Sequence, residues 1–142
     1  MQPTYLPWIG YFDLMNRSDL FIFLDNVQFE KRSWQQRNKI KTVNGELILT
    51  IPVKTKGKYD QKIIEASIDN TQNFKSKHIK AIKNAYGKSQ YFDFYFSEFE
   101  NIIMNSNDSL ADLNISLIKW LARKFSIECK TEKASNFNFS GR

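Results

Sequence analysis

The chain has one cysteine, Cys129, and one histidine, His78, in 142 residues. A single cysteine excludes an internal disulfide and favours a reducing compartment. Together the two residues cannot supply the four or so ligands of a His/Cys zinc site. Nothing supports an all-carboxylate magnesium site either, so no metal and no cofactor is expected. The lone histidine also removes most of the usual choice of general base. The longest apolar runs, Leu20 to Leu24 and Leu47 to Val53, are far too short to span a bilayer. No basic-then-apolar leader precedes them, and the expected location is cytoplasmic without membrane insertion. Repeats, low-complexity tracts and Pro/Gly/Ser linkers are also missing. Residues 1–142 therefore read as one domain.

What is present in excess is aromatic. Phe, Trp and Tyr make up 15% of the chain, with twelve Phe, which is more than a core of this size needs. Some rings should therefore face a ligand or an interface. The formal net charge is +6, with lysines crowded into 54–62 and 75–88. Those runs read as solvated surface, yet the balance permits an anionic partner.

The apolar spacing of Trp8, Tyr11, Phe12 and Met15 predicts a helix from Trp8 to Asn16, with Pro7 in its first turn. Asp19 to Leu24 has strand length without alternation, which suits a parallel strand buried on both faces. Asn44-Gly45 between Lys39–Val43 and Glu46–Val53 signals a hairpin, because both turn residues accept positive φ. Gln61 to Ile68 alternates as a strand. Asn70 or Thr71 can cap a helix whose apolar face is Phe74, His78, Ile79, Ile82 and Tyr86, stopped by Gly87. His78 on that face reads as structural. Helices over Tyr91–Met104 and from Ser109 to about Phe125 follow, then a strand from Ile127 to Ala134. The fold class is α/β, a Rossmann-like three-layer domain with a β-hairpin insertion and C-terminal helices. It is expected to be incomplete, since no strand leads into Gln2-Pro3 and Phe139–Arg142 reads as mid-loop.

Two segments look built for a site. The opening Gln2-Pro3-Thr4-Tyr5-Leu6-Pro7-Trp8 holds rigid rings on fixed proline dihedrals. Tyr5, Trp8 and Tyr11 offer flat faces to a nucleobase or sugar. Leu24-Asp25-Asn26-Val27-Gln28 ends the buried strand, where α/β sheets usually hold ligands. Asp25 is the candidate base and Gln28 its orienter. Arg32 and Arg37, interleaved with Trp34 and Asn38, are candidate phosphate binders.

Gln2-Pro3-x-Tyr5-Leu6-Pro7-Trp8-x-Gly10-Tyr11-Phe12, Asp25-x-Val27-Gln28-Phe29, Arg32-x-Trp34-x-x-Arg37-Asn38-x-Ile40, Pro52-Val53 and Ala85-Tyr86-Gly87-Lys88 together resemble the WbqC-like proteins. The resemblance covers nearly the whole chain. It implies a bacterial protein of surface-polysaccharide (O-antigen) synthesis, a transferase modifying a nucleotide-linked sugar, with amide-forming acyl transfer as one form. Members usually begin with a short strand before Gln-Pro and continue beyond this chain's length, so a fragment or shortened product is expected. A weaker resemblance is to adenylyl-transferring enzymes of the pantothenate-synthetase kind. There histidines stand where Trp8 and Tyr11 stand here, so histidine-assisted adenylyl transfer is not expected.

The combined reading is a site of Gln2, Tyr5, Trp8, Tyr11, Asp25, Gln28, Arg32, Trp34, Arg37 and Asn38. It binds a small anionic substrate, a nucleotide-sugar or phosphate ester. The alternatives are a basic nucleic-acid-binding module, the less expected partner class, or an inactive truncated member. Sequence leaves the oligomeric state open.

Overall fold

The computed structural model describes residues 1–137. The expected mid-loop end at Phe139–Arg142 lies outside them. In chain order the elements are α1 (Ile9–Asn16), β1 (Leu20–Phe23), β2 (Arg37–Thr42), β3 (Gly45–Thr50), α2 (Phe74–Tyr86), α3 (Phe92–Met104), α4 (Leu110–Lys124) and β4 (Lys130–Lys133). The protein is a mixed α/β structure. β1 and β4 pair in parallel, from Leu20 opposite Lys130 to Phe23 opposite Lys133. β2 and β3 form a separate antiparallel hairpin.

α4 organises the core. Ser109 caps it by accepting from the Asp112 amide at 3.2 Å, and nine of its fifteen residues are buried. One side, with Leu110, Leu113, Leu117 and Trp120, packs on the hairpin, α2 and α3. The other, Ile115, Ile118 and Ala122, packs on α1 and β1 through Tyr11, Phe12, Met15, Phe21 and Phe23. A helix buried on both sides keeps these two clusters in register.

Several expectations need correction. β1 alternates: Phe21 and Phe23 are buried, while Leu20 and Leu24 stay exposed. The strand therefore packs through one face, and its apolar run concealed that period. Gln61–Ile68 is no strand. It makes single bridges through Lys62, Ser67 and Ile68 around one 3-10 turn at Ile63–Glu65. The Glu65 carboxylate closes that turn by accepting from the Lys62 amide at 2.8 Å. The hairpin turn falls one residue early, on Val43-Asn44, and only Gly45 of the expected pair has positive φ, +106°. Thr42 Oγ1 holds the turn by accepting from the Asn44 amide and donating to the Gly45 carbonyl. β3 ends at Thr50, just before the stretch in which Pro52 can donate nothing to a ladder. Asp69 caps a 3-10 turn over Asn70–Gln72, and α2 starts only at Phe74.

His78 is structural, as its apolar neighbours foretold. Its Nε2 faces the Thr50 carbonyl at 3.2 Å and must carry the proton, so Nδ1 accepts from the Tyr5 hydroxyl at 2.9 Å. Burial depresses its pKa from 6.5 to about 4, against the weaker opposing pull of the Thr50 carbonyl. The folded state thus refuses a proton that the unfolded chain accepts. Stability is full above pH 6.5 and falls as pH drops toward 4, by roughly 3 kcal/mol at most. Urea titrations from pH 7 to 4 should show this slope, and His78→Phe should flatten it; an unchanged slope would exclude His78 as its source.

Candidate functional site

The first seven residues form a strap without regular secondary structure, and most of their carbonyls accept hydrogen bonds from elsewhere in the fold. Tyr11 Oη donates to the Gln2 carbonyl at 3.0 Å. Asn114 Nδ2 donates to the Pro3 carbonyl at 3.1 Å and to that of Gln35 at 2.7 Å. The Tyr5 amide donates to the Trp34 carbonyl at 3.0 Å. Asn38 Nδ2 donates to the carbonyls of both Tyr5 and Leu6. Gln35, nearly fully buried, binds the Gln2 side chain at 3.0 Å through Nε2 and the Glu30 amide at 2.8 Å through Oε1. A strap with two prolines cannot join a regular ladder, so side-chain amides do that work one by one.

Above the strap opens a cavity of about 530 Å³. Tyr5, Trp8, Tyr11 and Trp34 present aromatic carbon to it, Met1, Pro7 and Leu24 add aliphatic wall, and Gln2, Thr4 and Asn38 supply the polar points. Such a composition, mostly apolar with a few convergent polar groups, is what ring-shaped ligands require. The two indoles are its exposed faces: Trp8 is 68% exposed and Trp34 55%. Rings left in water carry a solvation cost that a stacked ligand would relieve.

Trp8 is the N-cap of α1, with extended φ/ψ and no side-chain cap bond. Its indole lies across Gly10, where an added Cβ would come within 1.7 Å of the ring. Gly10→Ala should therefore swing the indole off its seat while α1 gains helix propensity. We expect an unchanged or slightly raised melting temperature with altered Trp fluorescence; a drop of several degrees would show that Gly10 serves packing instead.

The structure thus brings together Gln2, Tyr5, Trp8, Tyr11, Trp34 and Asn38. Tyr5 and Tyr11 contribute only ring faces, being buried, with Tyr5 Oη held by His78. Burial also raises both phenol pKa values, so neither serves as a base. The other four candidates lie elsewhere. Asp25 is fully buried, and both its oxygens are taken by Ser135: the amide at 2.9 Å and Oγ at 2.7 Å. Its carboxylate is engaged within the fold, away from the cavity. Gln28 is exposed and turns toward the Tyr59 carbonyl. Arg32 is exposed at φ +62°, and Arg37 is half-buried at the start of β2; neither lines the cavity. The sequence reading missed Gln35 and Asn114, the amides beneath the strap.

No His/Cys/Asp/Glu cluster able to hold a metal occurs among the described residues. Nor is any described helix long and apolar enough to cross a membrane.

Comparison with known proteins agrees with the strap's unusual sequence. An uncharacterized protein of Mycobacterium tuberculosis is 44% identical over 92 residues, which is 65% of this chain and 39% of that protein. The chain thus spans well under half of that relative's length. No solved structure matches. The model of the WbqC-like protein family matches residues 2–142, so strap, cavity and α4 all fall within it, and the chain belongs to that family.

Proposed function

We propose that the aromatic cavity binds the ring of a nucleotide-activated sugar, or a related phosphorylated metabolite, for a transferase of surface-polysaccharide synthesis. The observation that carries this reading is two exposed indoles, Trp8 and Trp34, on the wall of one cavity with the amide of Gln2. A pyranose presents C–H bonds on one face and hydroxyls at its edge; indole faces meet the first, and Gln2 and Thr4 can meet the second. Arg32, two residues before Trp34, and Arg37, next to Asn38, lie outside the cavity wall and supply charge for a diphosphate that extends beyond it in this reading. The titratable side chains of the cavity wall are two buried phenols, and Asp25 does not line it.

Titration with a panel of UDP- and dTDP-linked sugars, followed by Trp fluorescence and calorimetry, tests this. Trp34→Ala should weaken binding about tenfold or more, at the scale of one lost stacking partner. Arg32→Ala should weaken the nucleotide-sugar and spare the free sugar. Equal affinity of wild type and Trp34→Ala would refute the cavity as the site.

A further inference from the structure

A second concavity, about 370 Å³, opens on the other side of the same strap. Tyr5 and Pro7 line the first cavity, whereas Leu6 between them lines the second. Asn38 and Ile40, two apart on the same face of β2, line the first and the second respectively. Leu6 achieves this at φ +48°, a conformation that costs a non-glycine residue about 1 kcal/mol or more. With Ile82, Phe96 and Trp120 it forms an apolar floor, and Tyr86, Tyr91 and Tyr95 stand at the rim.

Three of the groove's polar groups have partners within the fold. Tyr86 Oη accepts from the Lys41 amide at 3.2 Å, and Ser89 Oγ donates to the Tyr86 carbonyl at 2.6 Å. Trp120 Nε1 donates to Glu98 at 2.9 Å. The side chains of the floor, Leu6, Ile82, Phe96 and Trp120, therefore offer nothing to a polypeptide's amides, whereas a hydrocarbon chain has none to satisfy. The surrounding charge is mainly positive. No acid occurs between Asp69 and Asp93, while Lys83 and Lys88 flank the α2–α3 turn and Lys41 adjoins Ile40. Lys124 lies over the rings of Phe94 and Tyr95. The acids nearby include Asp93, Glu98 and Glu46; Glu98 is bound to Lys124 at 2.6 Å, and Glu46, opposite Lys41, to Lys39 at 2.7 Å.

We propose that this groove binds the hydrocarbon chain of an anionic amphiphile whose head group meets Lys83 and Lys88. The site is separate from the indole cavity and does not depend on the function assigned to it. Calorimetry of the full chain with decyl phosphate below its micellar concentration, butyl phosphate and decanol tests the proposal. Decyl phosphate should bind roughly a hundredfold or more tighter than butyl phosphate, as six additional methylenes enter the groove. Gln90→Trp, which places a ring at the mouth, should weaken decyl phosphate at least about tenfold with melting temperature unchanged. Lys83→Glu with Lys88→Glu should weaken decyl phosphate several-fold and leave decanol alone, on the scale of paired charges. Trp34→Ala should leave all three ligands unaffected. Equal affinity for butyl and decyl phosphate would overturn the proposal, as would loss of decyl phosphate binding in Trp34→Ala. Binding to phosphatidylglycerol vesicles without binding of the monomer would make this face a membrane surface and overturn it as well.

Discussion

Asn114→Asp should be the most damaging single change in this domain, lowering its stability by about 3–5 kcal/mol at neutral pH. Asn114 is completely buried on α4, between the two halves of the core. Its Nδ2 binds the carbonyls of Pro3 and Gln35, and its Oδ1 has no partner. An aspartate would set an ionised oxygen against two carbonyl oxygens, with neither solvent nor cation to offset it. The carboxyl would escape by taking up a proton, so its folded pKa would rise above the unfolded value. The sign follows: the folded variant binds the extra proton, and its deficit relative to wild type shrinks as pH falls from 7 toward 4. Asn114→Leu separates hydrogen bonding from charge. It should cost about 2–3 kcal/mol, since two buried carbonyls lose their donor, with no such pH dependence. Urea unfolding at several pH values measures both. A loss below about 1 kcal/mol for both variants would mean that the strap is held without Asn114.

The strap's dependence on Asn114 shows where sequence reading reached and where it stopped. Helices were legible because their signals are local: Ser109 before Leu110, Gly87 after Tyr86, and apolar residues at helical spacing. The aromatic-proline segment was legible as a site builder because its composition is poor for core and good for a rigid surface. Its partners were not legible. Asn114 lies 111 residues from Pro3, and Gln35 lies 33 from Gln2. One trace existed: Asn114 breaks the apolar stripe of Leu110, Leu113 and Leu117 at a position one turn from Leu110. A polar residue at a core position announces a buried network, though not its partner. Gln61–Ile68 failed for the opposite reason. Its alternation was real, but only isolated bridges support it, and one local carboxylate was enough to curl it.

Asp25 lies away from the cavity, and its contacts make the second large prediction. An acid at the carboxyl end of a parallel strand is where a base is commonly found, so the sequence argument was sound as far as it went. The deciding fact is three-dimensional. The Asp25 carbonyl accepts from the Ile64 amide at 2.8 Å, and the carboxylate grips Ser135 just past β4. One residue therefore ties the end of β1 to the Ile63–Glu65 turn and to the segment following its parallel partner. Asp25→Ala should cost about 2–3 kcal/mol, the loss of two hydrogen bonds to a charged group, partly recovered because Ser135 itself is exposed. Asp25→Asn should cost about 1 kcal/mol or less, since its carbonyl oxygen can take the Ser135 amide while its amide donates to Oγ. Paired with Ser135→Ala, the Asp25→Ala change should show a coupling of about 1–2 kcal/mol, because both remove the same contact. Melting temperatures of the two variants test the strut before any substrate is known. They should rank Ala below Asn below wild type, and Asp25→Ala melting with wild type would refute it.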